Sequence, residues 1–191
     1  MFEELVVERL CLLTTFILIQ VKNRFADEEV ELGKVSTSEQ REEVLTLARQ
    51  AEEWLEEANS LTTTVKEYND KFKGINVKAE PIFYRYSELT ARPAAIKKLQ
   101  GVLSQLREKI GTWKDKLPQI SEKETESILE AIQKVDSWIE KKEDEQKAKP
   151  SHEEPAFESS EVPLQLKPVQ ALFEKLIRKP KPPPEKVTNF T

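Results

Sequence analysis

The chain has 191 residues, a formal net charge of −5, 34% charged and 38% apolar residues, and only four glycines. That length carries one modest core or one long bundle with tails, and so much charge beside so little glycine excludes a turn-rich all-β fold in favour of solvated amphipathic helices. Its one cysteine, Cys11, excludes an internal disulfide framework and a cysteine-based zinc site. Charge is unevenly spread: Asp27 to Glu57 holds eleven acids against Lys34, Arg41 and Arg49, whereas Lys167 to Lys186 holds six bases against Glu174 and Glu185. Two readings stand, a solvated helix face with a soluble tail or a charge-matched partner surface. The bases lack interleaved aromatics and form no stripe along a helix, which argues against nucleic acid.

Residues 10–21, LCLLTTFILIQV, are the only continuous apolar run. The run is shorter than the ~20 apolar residues a membrane span needs, and Glu3 and Glu4 stand where a signal peptide wants positive charge. Residues 1–22 are therefore an atypical start, a signal-like segment, or a buried strand or helix, and the fold is read from Asn23, with 23–35 as a lead-in. Membrane association is not expected.

Ser36 with Glu39 fits a capping box, and Val44, Leu47, Ala48, Ala51, Trp54, Leu55 and Ala58 recur at three-and-four spacing, giving a first helix that ends near Asn59. Thr62 to Thr64 can cap a second helix with the stripe Val65, Tyr68, Phe72, Ile75, Ile82, Tyr86, Leu89. This stripe keeps its spacing across Pro81, so that proline is expected to kink the helix without breaking it. Arg92-Pro93 reads as a corner, because the residue before proline is pushed from the helical region and proline suits a first helical position. A third helix then runs from Pro93 to about Leu117 with Ile96, Leu99, Leu103, Leu106, Ile110 and Trp113 on one face, closed by Pro118. A second capping box, Ser121 with Glu124, opens a fourth helix whose face is Ile128, Ala131, Ile132, Val135, Trp138 and Ile139.

After Lys141 the pattern dissolves into charge, and 142–158 is read as a linker unable to offset its ordering entropy. Within 159–179 a short helix from Pro168 to Arg178 places Val169, Leu172, Phe173 and Leu176 in register. The tail 180–191 opens with lysine and proline, which favours an extended polyproline conformation. The expected fold is all-α: an elongated antiparallel bundle of about four long helices over 36–141, then linker, short helix and tail. Trp54, Trp113 and Trp138 fall on apolar stripes and are read as core or core-edge packing. Phe83 and Tyr84 are adjacent and cannot both meet one neighbour, so one of them is free to face a partner.

Chemistry is scarce. His152, the single histidine, lies in the charged stretch, so no Ser-His, Cys-His or histidine-metal arrangement is available. Gly33, Gly74, Gly101 and Gly111 are scattered, which excludes a P-loop or dinucleotide fingerprint. The pairs Glu42-Glu43, Glu52-Glu53 and Glu56-Glu57 lie opposite the apolar stripe and are read as solvated. No catalytic, cofactor or metal residue is assigned. Asn189-Phe190-Thr191 formally matches a glycosylation sequon.

KVSTSEQREEV at 34–44, AEEWLEEA at 51–58, EPIFYRYSELTARPAAIKKLQ at 80–100 and the tail RKPKPPP resemble the C-terminal helical region of the large members of the seventy-kilodalton heat-shock superfamily. The block with Pro81, Arg85, Tyr86, Glu88, Arg92, Pro93 and Ala95 is the most specific part, and its wording is most similar to the endoplasmic-reticulum-lumenal, hypoxia-up-regulated branch. The resemblance implies a lid and bundle that covers client peptide and braces a partner chaperone's ATPase domain during nucleotide exchange, with Tyr84, Arg85, Glu88 and Arg92 as exposed candidate contacts. Arg92 has a rival reading as a local cap or salt-bridge residue. ATP belongs to a domain with no counterpart in this chain, so no cofactor and no enzymatic activity are expected. Residence in the endoplasmic reticulum lumen is implied by resemblance alone, without a retention tetrapeptide, and a misassembled or partial gene product stays open. The rival reading is a stand-alone helical adaptor, anchored by residues 10–21 and presenting its lysine-proline tail.

Overall fold

The computed structural model describes residues 2–58 and 62–181. Among these the chain is all-helical, with no strand: α1 (Phe2–Asp27), α2 (Glu29–Gly33), α3 (Ser38–Glu57), α4 (Val65–Gly111), α5 (Trp113–Lys116), α6 (Glu122–Ala148), a 3-10 turn (Pro163–Gln165) and α7 (Leu166–Ile177). The chain divides into two compact units, Met1–Leu89 with Lys149–Pro155, and Thr90–Ala148 with Ala156–Thr191. Helix α4 contributes residues 65–89 to the first and 90–111 to the second.

The first unit's core joins Leu18, Val21 and Phe25 of α1, Leu32 and Val35, then Val44, Ala48 and Ala51 of α3, and Ile75, Ala79 and Ile82 of α4. Phe25 meets Phe83 with ring centres 5.4 Å apart, and Arg24 lies 3.8 Å over the Phe83 ring. Residues 1–22 are thus no detached preface: from Leu18 onward they supply core. Their continuous apolarity hides the spacing by which a helix is read, because α1 keeps Leu12, Leu13, Phe16 and Ile19 exposed beside the buried Leu18 and Val21.

The start of α3 also differs from expectation. Thr37, one residue past Ser36, is the cap: its hydroxyl accepts from Gln40 N, while the Gln40 side-chain oxygen accepts from Thr37 N. Ser36 instead donates to Leu32 O at 2.6 Å, closing the preceding turn. Helix α3 ends at Glu57; Asn59, its expected end, lies outside the described residues, as does the tail from Pro182. Trp54 packs edge-on against the buried Tyr68 at 5.0 Å.

The corner at Arg92-Pro93 does not form. Helix α4 runs unbroken through Pro81 and Pro93 for 47 residues. Each proline forfeits one helical hydrogen bond, to the carbonyl four residues earlier, at a cost of about 3 kcal/mol. Burial on the far side offsets this: Ile96, Leu99, Leu103, Leu106 and Ile110 all enter the second core. The same three-and-four step carried back from Ile96 lands on Arg92, Glu88 and Arg85, all buried. The sequence change at 89–92 is therefore a change in which positions are covered along one helix.

In the second unit those residues pack with Ile128, Ile132, Val135 and Ile139 of α6, with Trp113, and with Val162, Leu166, Val169 and Leu176 around α7. Trp113 meets Phe173 at 5.4 Å and Trp138 meets Phe157 at 5.9 Å, so the three tryptophans pack on or beside the cores. Ser121 and Glu124 form the expected capping box, with Glu124 accepting from Ser121 N at 2.8 Å. The linker assignment for 142–158 is corrected. Lys142–Glu145 and Lys147–Asp144 pairs at 2.7 and 3.0 Å carry α6 to Ala148 without an apolar stripe, and Phe157 is buried.

Candidate interaction surface on helix α4

The four residues singled out from the sequence do not share one environment. Tyr84 is 39% exposed, whereas Arg85, Glu88 and Arg92 are only 7, 6 and 8% exposed. The expectation that all four are exposed is corrected: three are covered by the chain itself. A buried charge is tolerated only when paired or hydrogen-bonded, and the two arginines meet that condition separately.

In the first unit, Arg85 Nε donates to the Val35 carbonyl at 2.8 Å and its Nη2 to Gln40 Oε1 at 3.2 Å. Both acceptors belong to the turn that starts α3. Arg41 adds donors to Ser36 O at 2.9 Å and to Ser36 Oγ at 3.2 Å. Desolvation lowers the pKa of Arg85 and the charge of Glu154 opposes this; a guanidinium starting above ~12 stays cationic throughout the physiological range. In the second unit, Arg92 donates to Gln146 Oε1, which also accepts from Ala156 N at 2.9 Å, and the guanidinium lies 5.5 Å from the Phe157 ring centre. Arg92 therefore serves the fold, through a side-chain amide 54 residues away and so beyond the local cap or salt bridge offered as its rival reading.

What remains exposed on the first unit's part of α4 lies away from the core stripe. Val77, Pro81 and Tyr84, at successive i, i+4, i+7 positions, line an open depression of about 440 Å³ together with Asn76, Glu80, Arg85 and Glu154. Val77 is 58% exposed. The three-and-four spacing of this second set was available in the sequence but overshadowed by the stronger core stripe. Glu154 carried no local signal, since it reaches α4 from the far segment Lys149–Pro155.

The second unit has an open groove of about 620 Å³ whose lining includes Ile110, Pro118, Ile120 and Leu129 together with the charged Arg107, Lys114, Glu122 and Glu126. Nearby, Lys179 Nζ donates to Glu124 at 2.8 Å and, with the Ser121 cap, pulls the Glu124 carboxyl down to about 2. Among the described residues no cluster of His, Cys, Asp or Glu could hold a metal ion, and no helix is long and apolar enough to cross a membrane.

Sequence comparison supplies the class. Heat shock 70 kDa protein 17 of Arabidopsis thaliana is 31% identical over 167 residues, which is 84% of this chain and 19% of that protein. Heat shock 70 kDa proteins 15 and 14 of the same plant are 24% identical over 163 residues, 85% of this chain and 19% of each relative. The chain thus spans about one-fifth of the length of the curated relatives it matches, and it corresponds to a helical region of the Hsp70 superfamily. More particularly, residues 103–180 match the family described as HYOU1-like, C-terminal domain, which upholds the resemblance read from the residues: a C-terminal region of an HYOU1-like Hsp70-superfamily chaperone. No solved structure matches the chain.

Proposed function

We propose that this chain acts by binding, as the helical lid and bundle of an endoplasmic-reticulum-lumenal chaperone that braces the ATPase domain of a partner seventy-kilodalton heat-shock protein during nucleotide exchange and shields unfolded clients. The match of residues 103–180 to the HYOU1-like C-terminal domain carries this reading. It is supported by the buried arginines of α4, which stiffen the helix from within and leave Tyr84 and its neighbours as the exposed contact face. No ATP is required by the chain itself on this reading.

The test is retention of a purified lumenal Hsp70 ATPase domain by the immobilised chain, with and without ADP. Retention weakened by Tyr84→Ala supports the reading; no retention in either nucleotide state overturns it. The exposed Leu12, Leu13, Phe16 and Ile19 of α1 favour a second reading, a helical adaptor held to a lipid surface. Flotation with liposomes separates the two, since an adaptor of that kind floats and a bundle stays in the dense fraction.

A further inference from the structure

The depression beside Tyr84 has the makings of a specific ligand surface, independent of whether the partner is a chaperone. Its lining includes apolar surface from the exposed Val77, Pro81 and Tyr84 and two carboxylates, Glu80 and Glu154. The one cation there, Arg85, is turned inward onto Val35 O and Gln40 Oε1. Its charge reaches Glu154, but its donors are committed to the fold. The surface presented to solvent therefore combines apolar groups with two carboxylates. An exposed aromatic beside a proline suits a flat, preformed partner better than a flexible one, because a polyproline-type segment has little ordering entropy to lose on docking.

We propose that this depression binds an extended partner segment in which lysines alternate with prolines, the prolyl rings packing on Tyr84 and Pro81 and the ammonium groups meeting Glu80 and Glu154. Charge complementarity selects the occupant. An acidic or phosphorylated segment would meet two carboxylates without a free counter-charge, and a purely apolar helix would leave both carboxylates desolvated and unpaired. Lysine ammonium groups on flexible stems can meet Glu80 and Glu154 separately, since these come from different segments of the chain.

A fluorescein-labelled Lys-Pro-Lys-Pro-Pro-Pro peptide, which has the same sequence as residues 179–184 of this chain, titrated by anisotropy into the full chain and into the chain with Lys179→Ser and Lys181→Ser, tests this. The double substitution Glu80→Lys with Glu154→Lys is expected to weaken binding about tenfold or more, and Tyr84→Ala by roughly threefold to tenfold, in line with losing a charge pair and an aromatic contact. Raising salt from about 50 to about 500 mM should weaken the wild-type complex, leave the Glu80→Gln with Glu154→Gln complex nearly unchanged, and relieve part of the repulsion in the charge-reversed one. Circular dichroism establishes that each variant keeps its helicity, and Glu80→Gln with Glu154→Gln serves if charge reversal disturbs the fold. Equal affinity in the wild-type and substituted chains, or equal binding of Glu-Pro-Glu-Pro-Pro-Pro, overturns the proposal. Retention of an Hsp70 ATPase domain has no bearing on this outcome, so the two readings fail separately.

Discussion

The two units differ in how they assemble their cores. In the second, α6 and α7 announce themselves: the Ser121–Glu124 box starts α6, the apolar residues of both recur at helical spacing, and the observed core uses those positions. In the first, the core depends on α1, which is apolar on almost every side, and on two polar fasteners, the Thr37–Gln40 cap and Arg85. The contrast teaches that a stripe is legible only against polar neighbours. Where neighbours are apolar too, burial is decided by which other helix arrives.

The largest effect is expected from Phe25→Ala, which removes a buried ring packed on Phe83 and should destabilise the first unit by about 3–5 kcal/mol. Urea unfolding checks the size and amide protection in α3 checks the location; an effect near zero would mean that α1 is not part of the core. Arg85→Leu is next, at about 2–4 kcal/mol, because it leaves the Val35 carbonyl without its side-chain donor and Gln40 Oε1 with the Thr37 amide alone. Amides at 35–40 should then lose protection before those of α6. Pro93→Ala sharpens the second half of the comparison. With α4 continuous it restores a hydrogen bond to Leu89 O and should stabilise by about 1–3 kcal/mol, whereas a corner at that place would make the same change neutral or harmful.

The smallest effect is on the attachment of Lys179. Glu124 is held at about 2, first by Lys179 and then by the Ser121 cap, so its carboxylate is the form the fold prefers. A depressed folded-state value means that its contribution is complete above the unfolded carboxylate range, near ~4.3, and is lost as pH falls from there towards 2. The pair is solvent-facing, so the change is local. Side-chain NMR titration of Glu124 and Lys179 should follow it, and Glu124→Gln should remove the pH dependence.

Much of the second unit could be read from residues alone, including α7 to within two residues at its start, since Val169, Leu172, Phe173 and Leu176 repeat as a helix requires. Errors cluster where local and tertiary signals compete. Pro93 carries a strong local breaker signal, and Ile96 to Ile110 override it by burial. Lys141 to Ala148 lacks any apolar stripe, and charge pairs along the helix replace it. The α4 candidates failed as an exposed set for the same reason, because Arg85 and Arg92 read as surface residues by composition while their positions continue the Ile96 stripe. Their partners Val35, Gln40 and Gln146 are 45 or more residues away in the chain, beyond any local pattern.

One oxygen ties the first unit together in time as well as in space. Gln40 Oε1 receives both the Thr37 amide and the Arg85 guanidinium. Helix beginnings ordinarily fray freely, since their first amides have no partner within the helix. Unwinding the opening turn of α3 would cost its bond to α4 as well as its own cap, so its first amides are expected to exchange more slowly than those of a helix start capped from within alone.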